Sequence, residues 1–382
     1  MKHILVLNSG SSSVKFTVYQ IKNNKIDKQI LDGGVDKQGV HTVLSYKLKN
    51  KNNKINYSSK YSVKTAWKFI ADLLKDFDIN YIGFRVVHGG QDFVEATKIN
   101  NQFLKKLEPY NKLAPLHNPY ALELIKTVRR SMPQVKMSAS FDTAFYKDLK
   151  SENYLYSIPP RFYKQHGIRK YGFHGLSHEM AVKFVADKKK RPLSKLSVIS
   201  CHLGAGASIT WFHKGRVIDT TMGFGPNEGL TMGTRSGDIS ADVVLFLASE
   251  LKMSPDQISE LLNKKSGIFG LMGYSDFRDL LTANNYKIKG YKVKRKFTKK
   301  QKQDAKLALK IFVYDAKRYL ASFAGMSQSL DAVVFTGAVG THSAVTRKLI
   351  TQGVNLPKNC KVLAMPNMEM INIAKQTIKC LT

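Results

Sequence analysis

Two stretches of this chain, about half its length apart, share one unusual plan, and that repetition constrains the fold more than any other feature. At Ile4 to Phe16 the sequence ILVLNSGSSSVKF runs from an apolar segment into Asn8, Ser9, Gly10 and three serines, and apolar alternation then resumes around Lys15. At Leu196 to Phe212, LSVISCHLGAGASITWF repeats it, with Gly204, Ala205, Gly206, Ala207 and Ser208 in the turn. An apolar run bounded by small residues reads as a buried strand, and the alternation after it as a strand returning. Each stretch predicts a hairpin whose turn lets an anion approach backbone and hydroxyl donors, with Lys15 adding a positive charge to the first. No helix pattern follows the first turn, which excludes a P-loop and a dinucleotide fingerprint. Two such hairpins imply a duplicated domain.

A third apolar run, Ala332 to Thr336, enters Gly337, Ala338, Val339 and Gly340 before a helical pattern from Ser343 to Ile350. A nucleotide could lie there, its phosphates near backbone donors and helix N-terminal charge. Elsewhere the periodicity predicts alternating elements. In the first half these are strands near Gln29 to Val35, Thr42 to Leu48, Ile55, Tyr81 to Val87 and Val135 to Ser140, with helices at Val63 to Phe77 and from Pro119. In the second half they are strands at Ser197 to Cys201, Ile209 to Phe212 and Val217 to Asp219, and helices near Ile239 to Glu250, Pro255 to Asn263 and Gln303 to Phe323. In the last helix, Leu307, Ile311, Tyr314 and Phe323 are expected in the core.

At 382 residues and 43% apolar the chain can bury two cores. The short apolar run after Met1-Lys2-His3 is too brief for a signal peptide, and nothing approaches a membrane span. Three single cysteines, Cys201, Cys360 and Cys380, lack paired metal spacing, which points to a reducing cytoplasm. The 61 basic residues against 28 acidic give +33, a balance that invites a nucleic-acid partner. The excess is nevertheless spread along the chain and dominated by lysine. Even its densest cluster, Lys287 to Lys302, reads more simply as a solvated loop and helix start, so nucleic acid is not the expected partner.

The chemically capable residues stand mainly where strands or apolar runs end. Arg85 lies inside an apolar run, where an unpaired guanidinium would be costly, so it should face a carboxylate or phosphate. His117 precedes Asn118-Pro119 and could simply cap a helix. Asp142 ends a strand, a usual place for an acid that touches a metal or orients a reacting group. His174 lies in YGFHGLSH with His178 four residues on, a spacing that could hold a metal, yet no third ligand is evident. Arg235 sits between Gly233 and Gly237, where a side chain can reach a phosphate. Together these form an anion site.

At these residues the chain resembles the acetate kinases, of the acetate and sugar kinase, Hsp70 and actin superfamily. The resemblance runs from the first strand to the last twenty residues, through LNSGSSSVKF, RVVHGG, APLHNPYAL, FDTAFY, YGFHGLSH, HLGAGASI, DTTMGF, EGLTMGTRSGDI, NKKSGIFGL and VVFTGAVG in order. It implies an α/β protein of two duplicated RNase H-like (actin-like ATPase) domains with an active site in the cleft between them. The expected domains are residues 1–146, with a C-terminal helix 371–382 packing back on them, and residues 147–370. It further implies a homodimer, with ATP and acetate giving ADP and acetyl phosphate by direct in-line transfer, so that catalysis rests on positioning and charge neutralisation.

Carried over by motif, Arg85 and Arg235 hold acetate and the transferred group, His174 stabilises its equatorial oxygens, and His117 assists. Asn8, Ser11, Ser13 and Lys15 line the phosphate side. His202, Gly204, Gly206, Gly337 and Gly340 serve the nucleotide, and Asn8, Asp142 and Glu369 organise Mg2+, with Mn2+ as the alternative. Val87, Leu116, Phe173 and Pro226 correspond to a small apolar pocket for the acetate methyl. The departures fall mostly on the nucleotide side. Phe84 replaces a histidine, Ala205 replaces the asparagine of the hairpin turn, Gly337 to His342 lacks the usual acid and amide, and Met368-Glu369-Met370 keeps one of two acids. Ala205, Thr341 and His342 motivate one alternative, a kinase-like paralogue with altered acid or nucleotide preference or a weakly active nucleotide-binding protein; the +33 charge and the Lys287 to Lys302 cluster motivate another, a basic binding protein on a kinase scaffold.

Overall fold

The computed structural model describes residues 2–49, 51–288, 290–293 and 295–382. The chain folds as two units, one formed by the residues up to Lys147 together with Met368–Thr382, the other by Asp148–Asn367.

The first unit is built on one eight-stranded sheet. Its strands are β1 (Lys2–Ser9), β2 (Ser13–Lys22), β3 (Lys25–Gln38), β4 (His41–Leu48), β5 (Lys51–Tyr57), β6 (Ile79–Val86), β7 (Thr97–Lys98) and β8 (Lys136–Phe141). They lie in the order β5-β4-β3-β2-β1-β6-β8-β7. β1 pairs antiparallel with β2 and parallel with β6, which is parallel to β8. Helices cover the sheet, and the Ile4 to Leu7 run is accordingly unexposed. One core brings Leu5, Leu7, Phe16 and Val18 against Trp67 and Ile70 of helix Val63–Leu73 and Leu122 and Ile125 of helix Asn118–Ser131. Each such side chain contributes about 1.5–3 kcal/mol.

The last helix, Glu369–Leu381, packs on β6 and β8. Gly83 permits that approach, because a Cβ there would overlap Thr377 Oγ1 and meet Ile373 at 3.0 Å. Ser138 Oγ donates to Thr377 Oγ1 at 2.9 Å.

The second unit repeats the plan with β9 (Ser197–Leu203), β10 (Ala207–His213), β11 (Arg216–Thr220), β12 (Ala332–Thr336) and β13 (Lys361–Ala364), in the order β11-β10-β9-β12-β13. Three antiparallel strands are followed by two parallel ones, as in β3-β2-β1-β6-β8. Both hairpins form as the sequence predicts, and the duplicated architecture is the actin-like ATPase fold.

One expectation is corrected. In helix Lys299–Met326 the buried stripe runs through Ala305, Ala308, Leu309, Phe312, Ala316, Leu320 and Phe323, while Leu307 and Tyr314 are 54% and 67% exposed. They recur at helical spacing, but along a stripe offset from the packed one. Among the described residues, no helix is long and apolar enough to cross a membrane.

Candidate active site

In the first unit the candidate residues collect at the carboxyl ends of the central strands β1, β6 and β8, where ligands bind in open α/β sheets. The register pairs Leu7 with Phe84 and Arg85 with Ser140, so Asn8 and Arg85 close neighbouring strands and Asp142 follows the next. The half-buried Arg85 meets Asp142 in a two-pronged contact, Nε to Oδ1 at 3.1 Å and Nη2 to Oδ2 at 2.6 Å. Its Nη1 lies 3.7 Å from Glu369 Oε2. Burial works against the guanidinium charge, but Asp142 and Glu369 outweigh it and hold Arg85 protonated beyond its ordinary range. The arginine thus faces carboxylates, one of its two expected partners.

Asp142 is 1% exposed and Glu369 7%. Two buried carboxylates about one cation supply hard oxygen donors, which suit a divalent ion that also takes phosphate oxygens and water. Among the described residues no three His, Cys, Asp or Glu side chains converge as a metal cage.

The first hairpin presents its polar groups outward. Ser11 and Lys15 are exposed, Asn8 and Ser13 half-buried, and Gly10 N–H donates to Ser13 O at 2.8 Å. Gly10 needs no left-handed backbone, and a Cβ there would meet nothing nearer than 3.9 Å. Val87 and Leu116 lie half-buried just beyond β6 and before helix Asn118–Ser131.

His117 occupies the N-cap position of that helix, yet its side chain makes no capping bond. The bland capping reading therefore fails. Asn118, which sequence reasoning passed over, does the local work: its Oδ1 accepts from His88 N–H at 3.1 Å and its Nδ2 donates to His88 O at 2.9 Å. Thr143 Oγ1 accepts from Gly89 N–H at 3.0 Å. RVVHGG, HNP and FDTAFY are thereby tied into one rim, and the signal lay in their shared small and amide residues.

In the second unit four segments meet. Gly204 N–H donates to Gly206 O at 2.8 Å, and Gly233 N–H donates to Ala205 O at 3.2 Å. Gly337, at φ +75°, packs against Leu203 O, and a Cβ on Gly204 would lie 3.9 Å from Ala338 N. Ala205 thus serves through its carbonyl, with its side chain exposed. Gly340 is buried under β12, 3.5 Å from Cys201 O when given a Cβ. The short helix Gly337–His342 starts at the glycine itself, six residues before the helical pattern in the sequence.

His174 precedes helix Gly175–Lys189 in a left-handed conformation, φ +55°, which a non-glycine residue adopts at a cost of about 1–2 kcal/mol. Its ring stacks on His202 at 4.3 Å, and its Nδ1 lies 2.9 Å from Ser208 Oγ. A Cβ at Gly206 would stand 3.0 Å from His174 Nε2 and 3.7 Å from Arg235 Nη1. Imidazole and guanidinium therefore converge on the bare backbone of the second hairpin turn. Arg235 Nη1 is steadied by Pro226 O at 3.0 Å, and Phe173 is fully buried.

The His174–His178 metal alternative is overturned. Both ring nitrogens of the buried His178 are engaged by Ser200 and Ser208 hydroxyls. Cys201 is buried, which pushes its thiol far above the ordinary range and leaves it a packing residue.

The described residues of the basic stretch form a loop running into a capped helix. Arg295 stacks 3.9 Å over Tyr274, Tyr291 donates to Asp279 at 2.6 Å, and Thr298 caps helix Lys299–Met326. Lys289 and Lys294 of that cluster lie outside the described residues.

Known proteins share this architecture along its whole length. The sequence profile described as the Acetokinase family matches residues 3–359. Acetate kinase of Caldanaerobacter subterraneus subsp. tengcongensis is 38% identical, with 98% of each chain aligned. That of Mesoplasma florum is 39% identical over 92% of this chain and 87% of its own. A propionate kinase structure from Francisella tularensis superposes with a TM-score of 0.89 at 33% identity, and a Porphyromonas gingivalis acetate kinase structure with 0.85 at 30%, each over 100% of both chains. Family membership carries ATP as a substrate and, in general, a divalent metal. The chain belongs to the acetate kinase family, the phosphotransferases that take a carboxyl group as acceptor.

Proposed function

We propose that the chain transfers the terminal phosphoryl group of ATP directly to the carboxylate of acetate, and that the residues assembled in its two units carry the step. The observation that carries this reading is the convergence of His174 and Arg235 on Gly206, where donors stand over a turn with no side chain in the way. In-line transfer spreads negative charge over three equatorial oxygens, so fixed cationic and N–H donors supply most of the acceleration. Arg235 and Arg85 hold the carboxylate and the transferred group, His174 donates to its equatorial oxygens, and His117 assists at the same centre. Asn8, Ser11, Ser13 and Lys15 face the phosphates, while His202, Gly204, Gly206, Gly337 and Gly340 leave room for the nucleotide. Asp142 and Glu369, with Asn8, would hold Mg2+, which would supply positive charge to offset that of the phosphates.

Val87, Leu116, Phe173 and Pro226 would line the methyl pocket. One extra methylene changes binding by only about 1–3 kcal/mol, so propionate is a second acceptor on this reading, in keeping with the name of the Francisella relative.

The proposed assembly is a homodimer. Helix Ala241–Ser249 has no buried residue, although Val243, Leu245 and Phe246 are 43%, 64% and 54% exposed. An apolar helix left so bare fits a subunit interface. Three free thiols accord with a cytoplasmic setting.

The test is ADP formation from ATP and Mg2+ with acetate, propionate, butyrate or no acid. Acid-dependent turnover that Arg235→Ala and His174→Ala abolish is expected. Tight ATP binding with no acid-dependent turnover sinks the proposal.

A further inference from the structure

Between helix Gly175–Lys189 and the β9–β10 pair lies a closed layer of serine and histidine of which the reading above uses only His202. The helix turns Ser177 and His178 inward, β9 contributes Ser200 and His202, and β10 contributes Ser208. Ser177, His178 and Ser208 are wholly buried and Ser200 is 1% exposed. Polar groups so enclosed are costly unless each finds a partner. Here they join in one line. Ser200 Oγ lies 2.9 Å from His178 Nδ1, His178 Nε2 lies 2.7 Å from Ser208 Oγ, and Ser208 Oγ lies 2.9 Å from His174 Nδ1. Ser177 lies outside this line and serves His202 Nδ1 at 2.9 Å.

Counting protons sets the direction of the line. A serine has one hydroxyl proton and a neutral imidazole one ring proton. Burial, with His202 nearby, keeps His178 neutral. If Ser200 donates to His178 Nδ1, then His178 Nε2–H donates to Ser208 and Ser208 donates to His174 Nδ1, so the one proton the three bonds do not use is on His174 Nε2, at the half-buried end of the line facing Gly206. In reverse, His174 Nδ1–H donates to Ser208, Ser208 to His178 Nε2 and His178 Nδ1–H to Ser200, whose own proton is then stranded in an enclosed site. A stranded buried donor is disfavoured, and the forward direction wins.

We propose that Ser200, His178 and Ser208 are positioning residues forming a polarised hydrogen-bond line, which holds His174 as the tautomer with its proton on Nε2, the nitrogen that faces Gly206. The proposal rests on the reading of His174 as a phosphoryl contact. Within this unit the other groups facing His174 include His202, stacked on it from β9, and Arg235 across Gly206. The line explains why the helix and the strand pair bury serine and histidine at these positions among otherwise apolar neighbours. It presents an N–H to the phosphoryl oxygens before substrate arrives, so no reorganisation is needed at the moment of transfer.

The test uses the full chain labelled with 15N-histidine, with His174 ring signals assigned by their loss in His174→Gln. In the wild type, Nε2 is expected at the protonated position and Nδ1 at the unprotonated one. Ser208→Ala is expected to give exchange-averaged His174 signals and a kcat about tenfold lower, with KM for acetate and ATP within about twofold. Ser200→Ala, which does not touch His174, is expected to move the same signals part of the way, and to have no further effect in the Ser208→Ala background. A wild-type proton on Nδ1, or His174 signals unmoved by Ser200→Ala, overturns the line. If His174→Gln keeps full acetate-dependent turnover, the catalytic reading of His174 falls, and the ring spectra of the wild type and the serine variants still decide the tautomer.

Discussion

Gly206 shows how little space separates a hairpin turn from a reacting centre. A methyl there would press on His174 Nε2 at 3.0 Å, and its nearest neighbours are side-chain atoms of His174 and Arg235. Gly206→Ala is therefore expected to lower kcat about tenfold to a hundredfold through displacement of the imidazole, and to leave Tm within a few degrees. Steady-state kinetics with thermal denaturation checks this, and unchanged kcat refutes it. Asp142 makes the converse case, where stability and chemistry share one contact. Asp142→Asn removes the charge from a 1%-exposed group that meets Arg85 at 2.6 Å, and is expected to destabilise the protein by about 2–4 kcal/mol in urea denaturation. At this scale much was legible. Arg85 in an apolar run had to face a carboxylate or phosphate, and it faces Asp142. What sequence could not show is that His178 would give both nitrogens to serines, because the hydroxyls come from strands far from it in the chain.

The two hairpins were readable because a strand, a small-residue turn and a returning strand are local events, set by alternation and by side-chain size. Helix faces were less so. Leu307 and Tyr314 keep helical spacing, yet the face that packs is chosen by what lies opposite, and it is the alanine-rich stripe through Ala308 and Phe312. The C-terminal helix depends on a still more distant choice. It reaches β6 only because Gly83 has no side chain under Thr377 and Ile373, and that seating brings Glu369 to Arg85. Gly83→Ala is expected to cost about 1–3 kcal/mol by overpacking and to reduce acetate-dependent turnover as well. A variant with lowered Tm and full activity would mean that the seating of this helix does not govern Glu369.

For the whole molecule, the buried polar layer makes stability depend on pH. His178 is held neutral in the folded state, its pKa well below the ordinary 6.5, whereas the unfolded chain binds a proton near 6.5. Below that pH the unfolded state carries more protons, so stability falls as pH drops from about 6.5 toward the folded-state value, by at most about 1.4 kcal/mol per pH unit for this one group. Urea midpoints measured against pH should show this loss, and His178→Asn should flatten it while lowering stability at pH 8. The exposed helix Ala241–Ser249 supplies the other prediction. If it seats a second copy, Leu245→Glu with Phe246→Glu should yield a monomer by light scattering with native far-UV dichroism. A wild-type chain that is already monomeric removes the proposed dimer.

Alternation, turn chemistry and ordered motifs by themselves determined that this chain folds as a repeated strand-turn-strand plan, and that it resembles the acetate kinases. They act through neighbouring residues, where backbone geometry and side-chain size suffice. Only the tertiary structure decided which acids surround Arg85, that Ala205 serves through its carbonyl, and that a line of serine and histidine ends at His174 Nδ1. Those contacts join residues brought close by sheet register and helix seating, which no local pattern encodes.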